Sequence, residues 1–155
     1  MKQIILGLCC AILFTLPAAA GGTGLITVES NFTVQETLDR LTKIMTSKGI
    51  TIFARVDHAA GAKKVDKEMA PTQLLIFGNP KLGTPLMLSE RKIGIDLPQK
   101  ALAWQDNDGK VWVSYNDPAY LKNRYGISDR DPVFMKITGA LKKLIGKAVS
   151  KKSQG

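Results

Sequence analysis

His58 is the only histidine in the chain, and it directly follows Asp57. A carboxylate beside an imidazole can orient and polarise the ring, which is a starting point for acid–base chemistry. A lone histidine also serves as a helix cap or a hydrogen-bonding partner, and that structural role stands beside the catalytic one. Metal binding would need further ligands. The candidates are His58, nearby carboxylates and Met69 or Met87, a set whose thioethers favour Cu(I). Their spacing matches no metal motif, so neither a metal nor another cofactor is expected.

Gly78-Asn79-Pro80-Lys81-Leu82-Gly83-Thr84 is the sharper candidate. Read as a glycine-bounded loop between a strand and a helix beginning at Thr84-Pro85, it would have free helix amides pointing into it. Lys81 adds charge and Thr84 a hydroxyl, an arrangement suited to a small anion. It is not a nucleotide-type phosphate loop, because GxxxxGK[ST] is absent. The same residues also fit a purely structural role, with Asn79 and Thr84 as caps and Pro80 and Pro85 as stiffeners, or a dimer contact. Asn116, in Tyr115-Asn116-Asp117-Pro118, belongs to a strand-to-helix turn and would form a polar edge to such a site. Ser89 and Ser114 lack a nucleophile-elbow context, and one histidine leaves little room for an acid–base constellation. The favoured reading is a non-enzymatic binding module in which Asn79, Lys81 and Thr84 hold a small anionic ligand, with His58 at the rim. The alternative is an enzyme or metal-handling protein centred on His58 and Asp57.

The chain opens MKQIILGLCCAILFTLPAAA. Lys2, the apolar stretch Ile4 to Leu16, the break at Pro17 and the small residues Ala18 to Ala20 have the order of a cleavable secretory signal peptide over residues 1–20. The apolar stretch is shorter than the roughly 20 residues a spanning helix needs, and no second one follows. No transmembrane segment is therefore expected in the mature chain, whose compartment would be the periplasm or the extracellular space. Both cysteines, Cys9 and Cys10, lie in the leader, so cleavage would leave no disulfide, thiol nucleophile or cysteine metal ligand. Without Lys2 the 22 basic residues fall to 21 against 13 acidic ones, a net charge of +8. Such a balance suits an acidic partner protein of the envelope or anionic head groups, or simply keeps the protein in solution. Nucleic acid is not an expected partner outside the cytoplasm.

The elements that must carry these residues can be read from periodicity and caps. Gly24 to Ser30 alternates as a strand. Thr33-Val34-Gln35-Glu36 is a capping box, and Val34, Leu38, Leu41, Ile44 and Met45 follow at helical spacing until Gly49. Ile50 to Val56 is a second strand, which completes a β-α-β opening. His58 to Glu68 suits a brief helix, and the continuous apolar run after Thr72 a buried strand ending at Phe77. A helix over Leu86 to Lys92 is expected next. Lys100 to Gln105 and Lys110 to Tyr115 flank Asp106-Asn107-Asp108-Gly109 as a hairpin. Trp104 and Trp112 share strand parity there. Pairing in the core is expected, with an exposed aromatic platform as the alternative. Asp117-Pro118 and Asp131-Pro132 start two more helices, the second amphipathic with Phe134, Ile137, Leu141, Leu144, Ile145 and Ala148 on one face. One domain over residues 21–150 results: α+β, a mostly antiparallel sheet of about five strands with helices packed on it. Residues 151–155 read as a disordered tail.

Several stretches together carry a family resemblance: Asp57-His58, Pro71 to Lys81 (PTQLLIFGNPK), Gly83 to Met87 (GTPLM), Asp96-Leu97-Pro98, Trp104 to Trp112 and Tyr115 to Pro118. The chain resembles the domain of unknown function 302 family over nearly all of residues 24–149. That resemblance implies a compact α+β domain, with a homodimer as its expected assembly, and leaves the biochemistry undefined.

Overall fold

The structure is a computed structural model and describes residues 22–151. The leader at residues 1–20 and the tail beyond Lys151 lie outside the described residues. In chain order the elements are β1 (Leu25–Ser30), α1 (Val34–Thr46), β2 (Thr51–Asp57), α2 (His58–Lys63), β3 (Thr72–Gly78), α3 (Pro80–Ser89), a 3-10 turn (Arg91–Ile95), β4 (Gln99–Gln105), β5 (Val111–Asn116), α4 (Pro118–Arg124) and α5 (Asp131–Val149).

The helix starts follow local chemistry. Thr33 Oγ1 accepts from the Glu36 amide at 3.2 Å, and Asp117 Oδ1 accepts from the Ala119 amide at 2.9 Å with Pro118 leading the helix. Each bond satisfies one of the donors that a helix start leaves free. One expected start is corrected. The helix read from Thr84-Pro85 begins five residues earlier, because Asn79-Pro80 offers the same cap-plus-proline pair. Thr84 and Pro85 therefore lie inside α3, and residues 80–84 are its opening turns rather than a loop.

The five strands form one sheet in the order β1-β5-β4-β3-β2, every neighbouring pair antiparallel. The β-α-β opening is present, yet its two strands stand at opposite edges. α1, 13 residues long, spans about 20 Å at 1.5 Å per residue. Four strand spacings come to about 19 Å, so the helix can cross the whole sheet. Leu38, Leu41 and Met45 of α1 are fully buried, each contributing on the order of 1.5–3 kcal/mol from removal from water. Beneath them lie Leu75, Ala101, Ala103 and Val113. Arg40 ties α1 to the end of α5, its Nε donating to the Ala148 carbonyl at 2.8 Å and its guanidinium lying 3.9 Å over the Phe32 ring.

Strand alternation assigns the faces. On β4, Gln99, Ala101 and Ala103 are buried toward the helices, while Lys100, Leu102 and Trp104 point the other way and remain partly exposed. Trp104 pairs with Trp112 in register, ring centroids 6.5 Å apart. Their indoles donate to Ser114 Oγ and Asp106 Oδ2, respectively. The tryptophans thus pair as expected but on the more open face. Alanines occupy the helix-facing positions because α1 approaches β4 closely there.

Candidate functional site

The expected site residues do not converge. His58 follows the last residue of β2, and Asn79 follows the last residue of β3, which runs antiparallel to it. The register places Asp57 opposite Gln73 and Thr51 opposite Gly78, so the two sites lie at opposite ends of the sheet. Six strand residues separate them, roughly 20 Å. His58 is exposed and makes no side-chain hydrogen bond among the described residues. Asp57 does not face its ring: the carboxylate accepts from the Ala60 amide at 2.8 Å and from Gln73 Nε2 at 2.9 Å. Asn116 shares the Asn79 end of the sheet but sits on β5, beyond β4, on the open face.

At the start of α3 the amides are already engaged. Pro80 has none to offer, the Lys81 amide donates to Asn79 Oδ1 at 2.9 Å, and Leu82 and Gly83 donate to the Asn79 carbonyl at 2.9 and 3.0 Å. An anion cradle of free amides is therefore not formed there. Lys81 and Thr84 are exposed on the helix.

What the fold builds beside Asn79 is an apolar cavity of about 490 Å³. Its floor is the end of the sheet at Phe77 and Gln99, which are register partners. α3 contributes Leu82 and Met87, α5 contributes Ile137, Ala140, Leu141 and Leu144, and Leu97 and Pro98 close one side. A register shift between Ile52 and Ala54 makes Phe53 an extra residue on β2, and Phe53 also lines the cavity. Such a bulge re-aims a side chain that regular alternation would send elsewhere. A Cβ at Gly78 would sit 3.4 Å from both Phe53 and Pro98, so glycine lets these rings approach the strand end. Asn79 and Thr84 belong to the lining; Lys81, His58 and Asn116 do not.

The polar lining residues are few: Lys48, Asn79, Thr84 and Gln99, with no Asp or Glu among them. Gln99 is 8% exposed, and its Oε1 is the one buried side-chain polar atom among the described residues without a hydrogen-bond partner. Native interiors seldom leave such atoms unpaired. The loop before Gln99 is held firmly. Lys100 Nζ donates to the Asp96 and Pro98 carbonyls at 3.1 and 3.3 Å, and Tyr125 Oη donates to Asp96 Oδ2 at 2.6 Å. That bond to Asp96, reinforced by burial, raises the Tyr125 phenol above its ordinary pKa. A second, more polar groove of about 570 Å³ lies beside Asp57, lined by Lys63, Lys67 and Glu68 but not by His58.

Sequence reasoning missed Gln99, Lys48 and the α5 contribution. Parity did not point to Gln99, which alternates with Ala101 and Ala103 while the larger apolar Leu102 and Trp104 lie on the other parity.

Comparison with known proteins gives the chain its relatives. Residues 26–144 match the family described as Domain of unknown function DUF302. The proteins named fluoride-specific ion channel FluC 1 from Brucella suis biovar 1 (strain 1330) and from Brucella abortus biovar 1 (strain 9-941) are each 49% identical over 119 residues, 76% of this chain. The match covers 47% and 44% of those relatives, so the chain spans less than half of their length. The crystal structure of an uncharacterized conserved DUF302 protein from Bacillus stearothermophilus superposes with a TM-score of 0.65 at 19% identity, covering 82% of this chain and 96% of that one. That likeness is one of fold.

Proposed function

We propose that this chain, which belongs to the DUF302 family, is an exported, non-enzymatic binding module of the cell envelope, periplasmic or extracellular. Its ligand seat is the cavity beneath α3 and α5. The observation that carries this reading is the cavity itself: a largely apolar space of about 490 Å³ whose wall holds, among the described residues, a single buried and unpartnered amide oxygen. Small-molecule sites have this character, concave and apolar with a few placed polar groups, at roughly 300–1,000 Å³. The Asp57 carboxylate is committed to Ala60 and Gln73, so nothing in its geometry supports a His58-centred enzyme over a binding module.

Leu144→Trp, which fills the seat from α5, tests the reading. An amphipathic, anionic fluorescent probe, anilinonaphthalene sulfonate, should bind the folded protein stoichiometrically, and the folded variant should lose it. Equal binding by both sinks the proposal. Export has its own test, the N-terminus of protein recovered from an envelope fraction. Gly21 is expected there, and an intact Met1 on protein retained in the cytoplasm counts against export.

The relatives' names favour one second reading, in which the domain serves a fluoride channel as an accessory part. Among the described residues no helix is long and apolar enough to cross a membrane, so this stretch supplies no helical pore. A melting temperature raised by sodium fluoride but not by sodium chloride would support that reading. Identical melts in the two salts would remove it.

A further inference from the structure

The chemistry around the mouth of the cavity narrows what can occupy it. Lys48 is the one charged residue in the lining. Ala140 is the half-exposed lining residue of α5, and Lys136 and Lys143 stand four residues before and three residues after it. Lys147 stands three residues after Leu144. At these spacings helix side chains are surface neighbours, so a basic stripe borders the cavity where Ala140 opens to solvent. None of these four lysines pairs with a carboxylate among the described residues. The mouth is therefore cationic, and the rest of the lining is apolar except at Gln99 and, where α3 begins, at Asn79 and Thr84.

Gln99 supplies an independent constraint. It is more than nine-tenths buried and lines the cavity, and its side-chain Oε1 has no hydrogen-bond partner among the described residues. Two strand spacings separate it from Ile52, since Gln99 faces Phe77 and Phe77 faces Ile52. That is about 10 Å, with Lys48 four residues before Ile52. The polar point inside and the positive edge outside are thus separated by an apolar path.

We propose that the cavity binds a small amphipathic acid, an apolar chain whose carboxylate meets the lysine rim and whose far end carries a hydroxyl for Gln99. The proposal rests on the ligand-seat reading above and adds the class of ligand. A hydroxyl can both donate to Oε1 and accept from the amide nitrogen, which a plain alkyl terminus cannot. The rim lysines reward the carboxylate and disfavour a cationic head of the same length.

Calorimetric titration of the purified chain with decanoate, ω-hydroxydecanoate, decanol and decyltrimethylammonium tests this directly. The hydroxy acid should bind about tenfold tighter than decanoate, the value of one recovered hydrogen bond. Gln99→Leu should reverse that preference, and Lys143→Glu should weaken both acids while leaving decanol unchanged. A preference that survives Gln99→Leu overturns the role of Gln99. Equal binding of the cationic amphiphile overturns the anionic assignment. Decanol binding that Leu144→Trp abolishes, with neither acid bound, overturns the ligand class and leaves the seat standing. No binding by any of the four probes overturns both.

Discussion

Exchanging Gln99 for leucine removes the one buried side-chain polar atom that lacks a partner among the described residues. The position faces the helices from the start of β4, opposite Phe77, and lines the same cavity as Leu141 and Leu144. Leaving a buried acceptor unpaired costs about 1–3 kcal/mol. Leucine has a similar bulk, no polar atom to satisfy, and apolar neighbours to meet. The variant should therefore be more stable by about 1–3 kcal/mol, reversing the usual sign for a substitution in a folded interior. For a domain of this size, at about 4 °C per kcal/mol, that is a rise in Tm of about 4–12 °C. Thermal melts by circular dichroism give the shift, and guanidinium unfolding should show a higher midpoint at unchanged slope. Gln99→Glu provides the opposite control, since a carboxylate placed there at neutral pH is a buried charge without a partner. A Tm that is unchanged or lowered in Gln99→Leu would refute the reasoning, because it would mean that the amide is already satisfied. A gain in stability here would also have a functional meaning. Chains keep a destabilising polar group where activity needs it, and the ligand preference described above should be lost as stability rises.

Three further outcomes follow from other parts of the molecule. Arg40→Ala removes the donor to the Ala148 carbonyl and the stacking on Phe32; a loss of about 1–3 kcal/mol is expected in chemical denaturation, and a loss below about 0.5 kcal/mol, the scale of an ordinary surface substitution, contradicts the role. The Trp112 indole donates to Asp106 and, with the Lys110 and Asp108 amides, holds that carboxyl below its ordinary value against an opposing effect of burial. With the folded pKa depressed, the stability this group contributes is complete above the unfolded value and is lost as pH falls through the folded one; Trp112 fluorescence in a Trp104→Phe background should report a midpoint below 3.8, and a midpoint at or above that value refutes the assignment. The expected homodimer would use the open sheet face, where Leu74, Leu102 and the Trp104–Trp112 pair lie partly exposed; Leu102→Glu should convert it to a folded monomer in sedimentation, whereas a dimer that survives the substitution places the contact elsewhere.

Most of the architecture was legible because it is local. Thr33 and Asp117 announce their helices through bonds made within three residues, and the spacing of Leu38, Leu41 and Met45 marks the buried side of α1 without reference to anything distant. Asn79-Pro80 and Thr84-Pro85 were harder, because two adjacent pairs carry the same cap-plus-proline signature. The earlier pair forms the cap, with Asn79 Oδ1 accepting from the Lys81 amide at 2.9 Å, and the later pair is carried inside the helix. The order of strands was not legible either. Nothing local in Leu25–Ser30 or Thr51–Asp57 says that α1 will carry the chain from one edge of the sheet to the other.

The candidate site misled for a related reason. His58, Lys81 and Asn116 attract notice by residue type, yet each sits where its chemistry is local: a helix start, an exposed helix turn, a strand end. The residues that gather are mostly apolar and come from five places in the chain, from Lys48 through Phe77, Leu82 and Gln99 to Leu144. No spacing rule connects them, since their proximity depends on the strand order and on the packing of α5 beside α3. Gln99 was hidden by the pattern itself. In Gln99-Lys100-Ala101-Leu102-Ala103-Trp104 the large apolar residues lie on one parity and the alanines on the other, and the natural choice buries leucine and tryptophan. The fold does the reverse, because a helix packed closely over β4 needs alanine beneath it. Once that parity is inverted, Gln99 passes from the solvent face to the core face, and an ordinary surface glutamine becomes the polar group around which the cavity's chemistry is organised.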